Sequence, residues 1–247
     1  MSAHPWTDEY TLLCEKCGYV IEGLDQSGNC PECGKPIVES LPERRVGTPW
    51  QQEPGVGSLV RTWWMTLRHP LRTLDVMRVG HESEGLLLFN IVTATAYFSL
   101  GSVITLVALS TQTQFLQPIA FFLFATVITL PVLFMLTVIE MQGLRVIARQ
   151  RNFRIDHTLA RGICSHACLG WIICSILGST SLMFVSAAKT TINPRLDLTW
   201  WLLAMLTFVP GFLFFETFAW LGLRRCKFAN RVRPHPSSQP DPSHRSW

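Results

Sequence analysis

Residues 86–109, LLLFNIVTATAYFSLGSVITLVAL, and 118–139, PIAFFLFATVITLPVLFMLTVI, hold no charged side chain. Each exceeds the roughly 20 residues a helix needs to cross about 30 Å of hydrocarbon. Two further blocks, 162–188 and 198–223, are long enough as well, and only His166 and Glu216 interrupt them. The sequence therefore predicts an all-α transmembrane bundle of four helices, with residues 85–225 as the membrane domain. Composition agrees: 48% of the chain is apolar and only 15% charged, and the ionisable residues gather in 1–84 and 224–247. The first long apolar block begins after about 85 residues, too late for the apolar region of a cleaved signal peptide. The N-terminus is thus expected to stay in the cytosol.

Charge orients the bundle. The connection 110–117 is short and uncharged, whereas 140–161 carries Arg145, Arg149, Arg151, Arg154 and Arg161. Arg44, Arg45, Arg61, Arg68, Arg72 and Arg78 precede the first span, and Arg224, Arg225, Lys227, Arg231 and Arg233 follow the last. Cytoplasmic flanks concentrate arginine and lysine, so both termini are expected in the cytoplasm. The connection 189–197 sets Lys189 and Arg195 against Asp197, as an outer loop should. Trp200 and Trp201 would mark the outer interface and Trp220 the inner one. Pro131 and Pro210-Gly211 fall inside the second and fourth spans, where kinks are expected.

Ahead of the membrane domain stand two matched hooks, Cys14-Glu-Lys-Cys17-Gly and Cys30-Pro-Glu-Cys33-Gly. Two C-x2-C pairs present four thiolates, which close a tetrahedral Zn2+ shell and leave no position for water or substrate. One structural zinc on Cys14, Cys17, Cys30 and Cys33 is predicted, in a small β zinc ribbon over 10–38. Gly18 and Gly34 follow the hooks where positive φ is needed. Reduced thiolates also suit a cytosolic face, and none of the eight cysteines reads as part of a disulfide framework. Tyr19, Ile21, Leu24 and Ile37 are expected to cover the ribbon core. Lys16 and Lys35 are outnumbered by Glu15, Glu22, Asp25 and Glu32, which argues against a nucleic-acid footprint.

Residues 39–57, rich in proline and glycine, read as a linker. Residues 58–84 read as a juxtamembrane region opened by an amphipathic helix, with Leu59, Val60, Trp63, Trp64 and Leu67 on one arc. That helix either rests at the headgroup level or packs on the membrane domain's loops. Residues 232–247 are polar and proline-rich and read as a disordered tail.

Inside the spans, Glu216 is the one deep carboxylate, about 27 Å below Leu198 at a helical rise of about 1.5 Å per residue. His166 enters from the same side, and Glu140 and Glu84 sit at that level, so an intramembrane polar cluster of Glu216, His166 and Glu140 is expected. Cys164 and Cys168 share a helix face opposite His166, poor geometry for one metal. Cys174 and Cys226 lack partners in the sequence; Cys226 is either a buried thiol or an acylation site. No nucleophile elbow, phosphate loop or H-E-x-x-H motif occurs, so no enzymatic activity is expected.

The stretch 14–37, CEKCGYVIEGLDQSGNCPECGKPI, resembles the N-terminal module of planctomycete bacterial membrane proteins, in its C-x2-C-G-Y hook, Gly23-Leu24 pair and C-P-x-C-G hook. The resemblance implies a zinc-ribbon multi-pass protein of a bacterial inner membrane. By layout alone, HPLRTL at 69–74 followed by several spans with a basic middle loop is similar to Yip1-type membrane domains. The five spans and D-L-Y-G-P motif of eukaryotic members are not seen. These readings converge on a non-enzymatic membrane protein that displays a ribbon for docking a cytoplasmic protein. The competing reading is a small transporter or channel component with the ribbon as its regulatory or assembly domain. An oligomer is compatible with either.

Overall fold

The first three apolar blocks form long helices, but the helix ends and the segments between them differ from what the sequence leads one to expect. The computed structural model describes residues 8–109, 116–191, 202 and 205–233. Helix α4 (Glu84–Leu109) contains the first block, α5 (Leu116–Gln150) the second, and α6 (His157–Ala167) with α7 (Leu169–Thr191) the third. Among the described residues three helical stretches are long and apolar enough to cross a membrane: His81–Val107, Gln117–Gln150 and His157–Ala188. Of the fourth expected span, α8 (Val209–Arg225) is described, at 17 residues. Trp200, Trp201 and the start of that span lie outside the described residues, as do most of the connections 110–117 and 189–197 and the tail beyond 233.

Pro210, expected to kink a helix interior, occupies the first turn of α8 instead. Its missing N–H has no intrahelical partner to lose there, and its fixed φ suits a helix start. Pro131 lies inside α5, which runs past it without a break.

The basic connection is shorter than 140–161. Helix α5 continues to Gln150, so that its last turns carry Arg145 and Arg149 clear of the apolar block. It stops where Asn152 takes φ of 56° and the Phe153 N–H bonds the Ala148 carbonyl at 2.8 Å. Asparagine tolerates this left-handed position and closes the helix end. The Asp156 carboxylate then caps α6, accepting from the Leu159 N–H at 3.0 Å.

Helix α5 presents Leu123, Phe124, Val127, Val132, Phe134, Met135 and Ile139 outward. In water so continuous an apolar surface would associate; in lipid it meets its own kind. The core instead sits toward the arginine-rich end, where α3 (Pro70–Val76), α6, α7 and α8 enclose Leu74, Met77, Leu159, Ile163, Phe215, Phe218 and Leu223.

Helices α7 and α8 touch backbone to backbone. A Cβ on Gly211 would lie 2.5 Å from both the Cys174 nitrogen and the Gly170 oxygen. Small residues at such crossings let membrane helices gain the dispersion contacts that replace hydrophobic driving force in lipid. Gly211→Ala is therefore expected to part the helices, at a cost of about 3 kcal/mol. A thermal melt in detergent reads this directly, and an unchanged midpoint would mean the helices do not meet at this glycine.

The expected linker is folded. After 3-10 turns at Ile37–Ser40 and Pro42–Arg44, α1 (Pro49–Gln52) places Trp50 against Leu59 and Leu86. Gln51 accepts from the Thr48 N–H at 3.1 Å and the Arg78 N–H at 3.0 Å, and donates to the Arg78 carbonyl and Ser83 hydroxyl at 3.0 Å. Pro42 and Pro49 begin ordered turns here, because a proline that punctuates a linker suits the first position of a helix equally well.

Helix α2 (Val56–Arg68) divides the arc expected to face one way. Leu59 is buried, and the Trp63 indole donates to Asn90 on α4 at 2.7 Å, which packs that side on the bundle. Val60, Trp64, Leu67 and, on α3, Leu71 stay exposed as a stripe, with Arg68 5.6 Å over the Trp64 ring.

Candidate metal centre

The two hooks fold alike, residue for residue. In the first, the Cys14 N–H bonds Tyr19 O at 2.8 Å, the Gly18 N–H bonds Cys14 O at 2.8 Å and the Ile21 N–H bonds Leu12 O at 2.9 Å. In the second, Cys30 to Lys35, Gly34 to Cys30 and Ile37 to Gly28 repeat the pattern at 2.8, 2.9 and 3.0 Å. Gly18 and Gly34 adopt φ of 83° and 71°, the left-handed turn that returns the chain toward the sulfurs. The expected β ribbon is reduced to one antiparallel bridge per hook, Leu13–Val20 and Asn29–Pro36, with no strand among the described residues. Each hook makes only these few bonds before Ile21 and Ile37 turn inward to the small core with Cys14 and Cys30. Tyr19 and Leu24, expected beside them, are each 40% exposed.

The four sulfurs lie within 4.8 Å of one another, with Cys14 to Cys33 at 3.5 Å and Cys17 to Cys30 at 3.6 Å. A tetrahedron with Zn–S bonds of about 2.3 Å has edges of about 3.8 Å, so the cluster has the size of a four-thiolate zinc shell. It is far too open for disulfides, whose sulfurs stand about 2.05 Å apart, and all four thiols are free. Burial alone would raise the Cys14 thiol, but the amides of Cys17 and Lys16 and the neighbouring sulfurs hold it down to about 7. Burial and the other sulfurs push Cys17 up to about 12 despite the Tyr19 amide. Adjacent thiolates repel, and a divalent cation among them removes that repulsion. The chemistry of the donor set fits one structural metal ion, with no open position for a reacting group.

The ribbon is not free. Asn230, 1% exposed, accepts from the Leu13 N–H at 3.0 Å and donates to Leu13 O at 2.7 Å and Ser40 O at 2.5 Å. Arg154 donates to Thr11 O at 2.6 Å, to Ala229 O at 2.9 Å and to the Asn230 Oδ1 at 2.6 Å. Its burial and neighbouring Arg231 lower its pKa to about 10, opposed by Glu15 and Asp156, so it keeps its charge at neutral pH. Arg231 bridges Glu9 at 2.7 Å and the Asp156 carboxylate. Arg45, 3% exposed, bonds Glu15 at 2.8 Å and the carbonyls of Leu74 and Met77 at 2.9 and 3.1 Å. Segments before the first span, between α5 and α6, and after α8 thus meet at one end of the bundle. Asn230 carries no signal in the sequence, and Arg154 reads there only as one charge of a basic loop.

Glu140 on α5 and Glu216 on α8 lie close enough for their charges to interact. His166 is elsewhere: its Nδ1 lies 2.9 Å from Gly162 O, its Nε2 3.4 Å from the Thr48 hydroxyl, and its ring stacks on Phe218. Glu84 pairs with Arg161 at 2.5 Å and His81 at 3.0 Å. Packing turns His166 toward the start of α1, a contact hidden from the sequence because 39–57 reads there as a linker. Cys164, Cys168 and Cys174 are buried single thiols, and buried Cys226 lies against Leu74 O at 3.6 Å, which leaves no acylation site on it in this conformation. No protein family, curated protein or solved structure matches the chain.

Proposed function

We propose that the chain is a non-enzymatic integral membrane protein whose zinc-held ribbon, on the cytoplasmic side, serves as a rigid docking module for another protein. The observation that carries this reading is the immobilised ribbon with outward apolar side chains. The polar clamp of Asn230, Arg154 and Arg45 fixes it to the bundle, while Tyr19, Leu24 and Val38 stay exposed. A preorganised apolar surface binds a partner without an ordering cost. The stripe of Val60, Trp64, Leu67 and Leu71, flanked by arginines, lies in the headgroup region and keeps this end of the bundle on the bilayer. The arginine-rich flanks favour the cytoplasmic side, and the resemblance of residues 14–37 supports a bacterial inner membrane. In-cell crosslinking compares wild type with Leu24→Asp, a surface change that leaves the four thiols intact. One protein adduct lost in the variant, at unchanged zinc content, is the expected result; adducts insensitive to Leu24 would overturn docking through this face.

A second reading, a small transporter or channel component with the ribbon as its regulatory domain, draws on the Glu140 and Glu216 neighbours. It also draws on an apolar cavity of about 470 Å3 lined by Phe98, Leu133, Trp171, Phe208 and Phe212. Glu216→Gln separates the two. Under docking, proteoliposomes of wild type and variant show the same background proton and cation leak; a flux present in wild type and lost in the variant would establish transport.

A further inference from the structure

A groove of about 530 Å3 separates the second zinc hook from the end of α8. Seven cations and three carboxylates line it. Each carboxylate is engaged by an arginine: Glu15 by Arg45 at 2.8 Å, Glu39 by Arg44 at 3.6 Å and Asp75 by Arg225 at 2.5 Å. Lys16, Lys35, Arg224 and Lys227 have no carboxylate within ion-pair distance among the described residues.

These four are positioned by other means. The Lys16 ammonium reaches Cys33 O at 3.4 Å and that of Lys35 reaches Glu39 O at 3.2 Å. Lys227 lies over the Phe153 and Phe228 rings at 5.8 and 5.4 Å, and Arg224 over Trp220 at 5.5 Å. Carbonyls and ring faces orient a cation without neutralising it, so the groove keeps a concentrated positive field. Its volume lies in the range of small-ligand sites.

We propose that this groove binds a phosphate-bearing anion, and that the headgroup of an anionic phospholipid is its natural source. Position favours the lipid. Arg224 and Arg151 both lie over the Trp220 ring, at 5.5 and 5.7 Å, where α8 leaves its apolar stretch. An aromatic ring with guanidinium neighbours at a helix end marks the headgroup level. Arg224 belongs both to that girdle and to the groove, so a headgroup reaches Lys16, Lys35 and Lys227 without its chains leaving the bilayer. Cys33 and Gly34 form part of the wall, so the site is complete only while the second hook is folded on its metal. The inference rests on the membrane and zinc readings and is independent of any protein partner.

The test uses the full-length, zinc-loaded chain in neutral detergent, with lipid retention read by native mass spectrometry. Dioleoyl phosphatidylglycerol is expected to bind at least tenfold more tightly than dioleoyl phosphatidylcholine. The triple variant Lys16→Gln, Lys35→Gln, Lys227→Gln is expected to lose that preference while keeping one zinc per chain. Arg149→Gln, outside the groove, should retain it. Arg224→Gln provides a single surface change, expected to weaken retention severalfold, should the triple variant fold poorly. Glycerol 3-phosphate as competitor distinguishes the sources. Displacement at concentrations comparable to the lipid supports the same site with a soluble phosphate as ligand, and failure to displace supports the lipid. Equal retention of both lipids by wild type, or an unchanged preference in the triple and Arg224 variants, would overturn the proposal. Zinc content and Leu24-dependent crosslinks read the other proposals separately.

Discussion

The double variant Cys30→Ser, Cys33→Ser is expected to leave the membrane helices intact and residues 10–38 unfolded and free of metal. Two thiolates are too few for a tetrahedral zinc shell, and beside the cysteines the ribbon core offers Ile21 and Ile37 with the partly buried Leu12. So small an apolar cluster cannot offset the entropy of ordering its loops. Structural zinc in comparable modules supplies about 10–16 kcal/mol of apparent folding free energy at neutral pH. Metal analysis of the purified protein should fall from one zinc per chain to none. Proteolysis should then cut between Leu12 and Ile37 while the fragment containing α4 to α8 survives. Bound zinc in the variant, or a ribbon still resistant to protease, would show that the metal does not hold this module.

Asn230→Leu should separate docking of the ribbon from its folding. The side chain uses its full hydrogen-bonding capacity, two acceptances and two donations, on Leu13, Ser40 and Arg154. Leucine of similar size takes this partner from the Leu13 N–H and carbonyl and from the Ser40 carbonyl, at about 1–3 kcal/mol each, and takes one of three acceptors from Arg154, which keeps Thr11 and Ala229. A total on the order of 4 kcal/mol exceeds what one surface contact recovers. The expected result is faster amide exchange at Leu13 and through the 3-10 turns at 37–44, with zinc content unchanged. Phe228, whose ring lies where a Cβ on Gly18 would come within 2.8 Å, should lose its cover in the same variant. Exchange rates identical to wild type would mean that the ribbon is held by its charged contacts alone.

These two substitutions differ in how visible their residues are in the sequence. The four zinc ligands stand at fixed short spacings, and a metal shell imposes that spacing wherever the hooks occur. The membrane helices are equally legible, because the thickness of hydrocarbon sets a length that an uncharged run either reaches or does not. Asn230 is a single polar residue between Ala229 and Arg231, and nothing nearby distinguishes it from a solvated turn. The same holds for His166, which pattern placed beside Glu216 and packing placed beside Thr48.

The long apolar helices and the set of four cysteines follow from the chain alone, because both answer to local constraints, bilayer thickness and metal-ligand geometry. Tertiary packing settled the rest: residues 39–57 are folded, the ribbon is clamped to the bundle, and four cations with no carboxylate at ion-pair distance among the described residues line one groove. Each of those depends on groups distant in the chain, up to 217 residues apart at the clamp. Backbone carbonyls and amides, which every residue carries, make most of these contacts, so residue type alone does not announce them.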